Sequence, residues 1–293
     1  VRLGLYEADV VLMAGDLTGK AMVPIVRTDD GWEAELAGRR RHARDEDDLE
    51  AIEQDVANLG FYPMRMEQAD VERVAGDPEA LHALFIAEIR SRLRRWLDLA
   101  DERLEGTGVP VVVIPGNDDP YEIDDVLADA SYCENVDGRV AEIPGGLEVI
   151  GLGVSSPTPW NTPREVPEDD FFETITRLTD QAKDPRRTVL LIHCPPYDTG
   201  LDTAPLLDDD LRLRASAGDL MRGPVGSRGV RRAIEGFRPL LGLHGHIHES
   251  GGEAKIGDTL VLNPGSEAAY GVLRGYLVDV GSSGVDRAFR VEG

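Results

Sequence analysis

Short apolar runs alternate with helix-length amphipathic stretches along this chain. The runs are Val10–Ala14, Val109–Ile114, Leu147–Val154, Thr188–Ile192, Leu240–Leu243, Thr259–Leu262 and Val272–Val280. The first, second and fourth lack polar alternation, as strands covered on both faces do. Asp77-Pro78-Glu79 reads as an N-cap followed by proline, opening a helix through Leu81, Leu84, Phe85, Ile89, Leu93 and Trp96 to about Glu105. Pro167-Glu168-Asp169-Asp170 opens a second helix, and Arg231 to Phe237 forms a shorter one. This alternation predicts a layered α/β fold. Residues 28–76 stand outside it. Asp30-Gly31 signals a hairpin, 39–48 is a charge block, and a helix follows near 46–58. We read 1–293 as a single domain and 28–76 as an insertion beside its core, either a cap over a site or a solvated decoration.

Composition narrows the class. Over 293 residues, 41% hydrophobic content excludes a wholly disordered chain, and no run approaches the roughly 18 apolar residues of a membrane helix. The opening Val1-Arg2-Leu3-Gly4-Leu5-Tyr6 lacks a signal pattern, so a cytoplasmic location is expected. Two cysteines, Cys133 and Cys194, are too few for a disulfide framework and read as reduced thiols. Net charge is −24, and only Lys20, Lys183 and Lys255 are lysine, the other basic residues being arginine. An acidic, lysine-poor surface stays hydrated where salt shortens the Debye length to about 3 Å. We read this as a halophilic host's protein. The same acidity disfavours a nucleic-acid backbone as partner. Asp208-Asp209-Asp210 fits a solvated acidic turn.

Four short segments share one placement. Gly15-Asp16, Gly116-Asn117-Asp118-Asp119, His193 and Gly245-His246-Ile247-His248 each sit at the carboxyl end of an expected strand. Open α/β sheets bind ligands there. Asp16, Asn117, His193, His246 and His248 are all metal-capable, and mixed oxygen and imidazole donors suit Mn, Fe, Zn or Ni. The bland alternatives are a turn aspartate, a turn asparagine and core histidines; four such segments in order outweigh them. His244, on the strand itself, reads as structural, and His42 and His82 as solvated or structural. Cys194, beside His193, reads as a buried small residue rather than a ligand. The stiff Pro157–Pro163 loop could line a pocket with Trp160 and Asn161, and Tyr197 could wall the same cleft.

The ordered set GD, GND, lone H and GHIH, with Asn263-Pro264-Gly265-Ser266 trailing, resembles the calcineurin-like metallophosphoesterases from residue 9 to about 266. The resemblance implies a four-layer αββα sandwich holding two divalent metals, Mn2+, Fe or Zn2+. It implies that Asp16 bridges them, that Asn117, His193 and His246 complete the second site, and that His248 belongs to the first. It also implies a metal-bridging hydroxide attacking a small phosphate ester.

Two departures from that family pattern matter. Members carry Asp-x-His on an opening strand, and the fifteen residues before Asp16 contain no histidine. The fold is therefore expected to lack its first strand here. Either the chain starts beyond that motif, which is our expectation, or one metal site is lost. A non-enzymatic docking module on the same fold is the rival function. Second, Asp118, the expected catalytic residue, stands where the family has a histidine, which leans the expected substrate toward phosphodiesters rather than monoesters.

Overall fold

Uninterrupted valine and leucine runs pair here as parallel strands. In a computed structural model that describes residues 8–208, 210–216 and 218–293, Val11–Ala14 pairs in parallel with Val111–Ile114, which pairs in parallel with Cys133–Asn135. The opening stretch read for a targeting signal, and Asp209 of the acidic triplet, lie outside the described residues. The chain divides into two compact units. One holds the residues up to Leu17, Leu97–Glu267 and Leu273–Gly293; the other holds Thr18–Trp96 and Ala268–Val272.

In the first unit a six-stranded sheet runs Gly252–Ile256, Thr259–Asn263, Leu241–Leu243, Thr188–Ile192, Leu147–Leu152, Val140–Ile143. Its four inner strands are parallel and both edge strands antiparallel. Alternate residues of its buried strands serve opposite faces, as pleating requires. Leu190 and Ile192 join Phe171, Ile175, Val230 and Ile234 of the helices Glu168–Thr179 and Arg228–Phe237. Leu191 and Val149 instead pack with Val112 and Ile114 of the three-stranded sheet. The result is a mixed α/β unit with helices, a large sheet and a smaller sheet in successive layers. Arg228–Phe237 starts three residues earlier than expected, because Ser227 accepts the Val230 amide as N-cap and the Glu168 carboxylate accepts from the Arg228 and Gly229 amides.

The second unit is a four-stranded sheet in the order Arg39–Ala43, Gly31–Leu36, Met22–Thr28, Tyr62–Met66. The expected hairpin is present, with Asp29-Asp30 as its central pair and Gly31 beginning the return strand. The charge block 39–48 proves to contain a strand. Ala37-Gly38, at φ 51° and 71°, forms a two-residue turn that pairs Leu36 with Arg39. Arg41 extends to Asp55 at 2.6 Å, and Ala43 is buried. Pairing with a neighbouring strand decided this segment, not its composition. The helix Glu46–Asn58, capped by Asp45, buries Leu49, Ile52 and Val56 against Val23, Ile25 and Ala34. No helix among the described residues is long and apolar enough to cross a membrane.

Candidate metal centre

Three strand ends of the first unit meet at one point. Val11–Ala14 ends in Gly15-Asp16, and both residues take positive φ, 96° and 53°. Val111–Ile114 runs into Pro115-Gly116-Asn117, and Thr188–Ile192 ends at His193. The contact is very close. A Cβ on Gly116 would fall on the Asp16 carboxylate and amide and lie 2.8 Å from the His193 ring, so only glycine fits.

His193 is buried, and its ring is anchored at Nδ1. Nδ1 stands 2.6 Å from the Ala14 carbonyl, an acceptor, so Nδ1 carries the proton. Nε2 then offers a lone pair, and it stands 2.9 Å from Asn117 Oδ1 and 3.4 Å from Asp16 Oδ1. The asparagine cannot turn to offer its amide instead, because Nδ2 donates to Thr162 Oγ1 at 2.8 Å and faces Asp118 Oδ1 at 3.4 Å. Three acceptors therefore converge, a repulsive arrangement unless a cation or a second ring proton lies among them. Two donors bound at right angles to one cation, each about 2.1 Å away, stand about 3 Å apart. The observed spacing and the oxygen–nitrogen chemistry both fit a borderline divalent metal.

His248 adds Nε2 at 3.9 Å from Asp16 Oδ2, with its side chain 47% exposed. His246 takes a left-handed conformation, φ 65°, and stacks edge-on to His193 with ring centroids 5.1 Å apart. Strain of this kind in a non-glycine residue persists only where surroundings enforce it. Of the five donor residues expected from the sequence, Asp16, Asn117 and His193 converge, while His248 stands beside Asp16 and His246 beside the His193 ring. Counting His, Cys, Asp and Glu alone, no group of three or more among the described residues could hold a metal ion. The converging atoms are His193 Nε2, Asp16 Oδ1 and the amide oxygen of Asn117. Asp118 is half-buried, its amide 3.4 Å from Asp16 Oδ1.

The residues that hold these loops lie inside the motif segments, which gave them no role of their own. Asp119, fully buried, accepts the Leu17 amide at 2.9 Å and the Gly116 amide at 2.7 Å, tying the first two loops together. Asn263 donates to the Ile247 carbonyl at 3.0 Å and accepts the Gly265 amide, while the Ser266 amide donates to the His248 carbonyl. That explains the Asn-Pro-Gly-Ser segment in physical terms: it pins the His246–His248 loop. His244 is buried with Nδ1 on the Ile192 carbonyl at 2.9 Å, and burial pushes its pKa down to about 4, so it stays neutral. Cys194 is fully buried, with Sγ against Ser156 Oγ and the Pro195 carbonyl, and burial pushes its thiol up to about 12. Cys133 is likewise free and buried. Tyr197 carries Arg228 over its ring at 3.7 Å, so that face is already covered.

Behind Asn117, the Glu165 carboxylate accepts from the amides and hydroxyls of both Thr158 and Thr162, at 2.5 to 3.0 Å. Burial raises this carboxyl, but the four hydrogen bonds outweigh it and hold it below the usual carboxylate range. A depressed pKa contributes stability above the unfolded value that is lost as pH falls through the folded one. Glu165→Gln is therefore expected to lose about 1–2 kcal/mol at pH 7, with the deficit shrinking below about pH 4. Urea unfolding across pH 3.5–7 measures this, and a deficit independent of pH would sink the assignment.

No family model matches the chain. An uncharacterized protein of Methanocaldococcus jannaschii is 34% identical over 162 residues, 55% of this chain. The match spans 66% of that protein, less than two thirds of its length. The crystal structure of TT1561 of Thermus thermophilus aligns at 18% identity and TM-score 0.44, covering 63% of this chain and 73% of that one. A second crystal structure aligns at 19% identity and TM-score 0.43, covering 84% and 90%.

Proposed function

We propose that this chain is a metal-dependent phosphoesterase of the calcineurin-like type, built on an αββα sandwich and favouring phosphodiesters. The observation that carries the reading is the acceptor convergence of Asp16, Asn117 Oδ1 and His193 Nε2 at the carboxyl ends of parallel strands. Asp16, Asn117, His193, His246 and His248 would hold the cations. Bound divalent metal supplies positive charge opposite a phosphate and an acidified water as nucleophile.

The chain's own residues do the rest. The Ala14 carbonyl fixes the His193 tautomer, so Nε2 presents its lone pair. Thr162 and Glu165 fix the face of Asn117. With aspartate rather than histidine at 118, the loop offers no imidazolium to protonate a departing alkoxide. Good leaving groups need no such proton, and this supports the diester preference.

The test is calorimetric titration of Mn2+ or Zn2+ into the chain and its His193→Ala and Asn117→Ala variants, together with hydrolysis of bis-p-nitrophenyl phosphate. Each variant is expected to weaken metal binding roughly a hundredfold, about 2.7 kcal/mol. Asp118→His is expected to raise turnover of alkyl monoesters relative to the activated diester. A chain that takes up no metal at any pH would overturn the proposal, since a second ring proton on His193 would then account for the geometry, and the docking reading would replace it.

A further inference from the structure

The loop behind Asn117 carries a feature that metal binding does not use. Thr158 and Thr162 are both clamped on Glu165, and the Trp160 amide donates to Thr158 Oγ1 at 3.2 Å. The short arc between the two clamps holds Pro159, Trp160 and Asn161, the last at φ 52°. Trp160 lies at its crest with 66% of its surface exposed. An indole is the most costly side chain to leave in water, and a rigid loop leaves it there permanently.

This arginine-rich chain covers many of its aromatic rings. Arg27 lies over Trp32, Arg92 over Tyr62, Arg164 over Tyr121, Arg228 over Tyr197 and Arg232 over Phe172. Among the described residues Trp160 has no such cover and no aromatic neighbour. Its place is also particular. Two residues on, Thr162 holds the Asn117 amide at 2.8 Å, so the Trp160 Cα lies within about 7 Å of the residue touching the donor set.

We propose that Trp160 is a stacking platform and that the substrates are phosphodiesters carrying a flat aromatic group, such as a nucleobase, on the esterified side. The inference rests on the phosphoesterase reading and adds the substrate class to it. Clamping the loop lowers the ordering entropy of binding, which is what makes a preformed platform effective. Stacking of a base on an aromatic side chain is sequence-tolerant and contributes about 1–3 kcal/mol.

Two measurements test it on the 293-residue chain loaded with Zn2+. Quenching of tryptophan fluorescence is titrated with adenosine 5′-monophosphate and, as the non-aromatic probe, ribose 5-phosphate, with inorganic phosphate as competitor. Wild type is expected to bind the adenylate roughly tenfold more tightly than the ribose phosphate. Trp160→Phe is expected to remove the quench while keeping most of the affinity, and Trp160→Ala to lose that tenfold preference, both affinities being read by calorimetric titration. Trp32→Phe is expected to change neither. In kinetics, Trp160→Ala is expected to raise KM for aromatic diesters about tenfold with kcat retained, and to leave dialkyl phosphates unaffected. Equal affinities of wild type for adenylate and ribose phosphate, with phosphate competing against both, would overturn the platform and leave the phosphoesterase reading standing. Failure of all three phosphates to bind the metal-loaded chain would overturn both.

Discussion

Gly116→Ala is expected to cost the chain at least a hundredfold in divalent-metal affinity, and metal-dependent hydrolysis with it. The added Cβ has no space: it falls on the Asp16 carboxylate and amide and lies 2.8 Å from the His193 ring. The Asp16 amide is backbone and cannot swing aside. The Gly116 amide is held by Asp119, and His193 is anchored on the Ala14 carbonyl, so relief must come by separating the donors. Metal sites tolerate displacements of only a few tenths of an ångström. The matching control is Gly236→Ala, in the helix Arg228–Phe237, where an added Cβ meets nothing within 4 Å. That substitution is expected to stabilise by about 0.5–1 kcal/mol with unchanged metal binding. Calorimetry and thermal unfolding on both variants check the pair. Full metal affinity in Gly116→Ala would show that the convergence of loops is not the proposed metal site.

Arg164→Met is expected to produce the largest loss of stability. This side chain is 1% exposed. Its Nε donates to the Asp119 carbonyl at 2.7 Å and Nη2 to the Pro120 carbonyl at 3.0 Å, with Asp124 Oδ1 at 2.5 Å. Its Nη1 lies 3.8 Å from Asp137, and its guanidinium sits 4.4 Å over the Tyr121 ring. Methionine fills similar volume and leaves two buried carbonyls, together with the partly exposed Asp124 and Asp137 carboxylates, without their partner, a change that costs about 3–5 kcal/mol. Lysine is not expected to rescue it, lacking the planar fork that serves several acceptors at once.

The loss also has a pH signature. Burial pushes the Asp137 carboxyl up, while the Gly153 amide and Arg164 pull it down. Without the guanidinium that pKa rises further. A raised folded pKa contributes stability below the unfolded value that is lost as pH rises through the folded one, so ionising Asp137 becomes more costly in the variant. The deficit is therefore expected to be larger at pH 8 than at pH 5. Urea midpoints at the two pH values decide it, and equal deficits would show that lost packing, not charge, is responsible.

These two substitutions fall on opposite sides of what a sequence reader sees. Gly116 belongs to a motif whose placement after a strand was visible. Arg164 is one arginine among many, and nothing near it in sequence marks it as buried. Its partners, Asp119, Pro120 and Asp124, lie at least forty residues away. The same holds for Asp119. As the last residue of Gly116-Asn117-Asp118-Asp119 it looks like one more acidic turn position, yet it binds an amide 102 residues distant.

Hydrophobic patterning alone located the strands Val11–Ala14, Val111–Ile114, Thr188–Ile192, Leu241–Leu243 and Thr259–Asn263 to within a residue or two, although Val11–Ala14 is half-buried rather than covered on both faces. It also set Asp16, Asn117, His193 and His246 just beyond strand ends. Runs of apolar residues report burial directly, and glycine and proline mark where strands must stop, so these features are local. The tertiary structure alone decided that Arg39–Ala43 is a strand, that Asn117 turns its oxygen and not its amide toward His193, and that Trp160 is held on a clamped loop. Each depends on a hydrogen-bond partner supplied by another segment. A side chain's orientation is set by which donors and acceptors the fold brings within about 3 Å of it, and no local pattern carries that information.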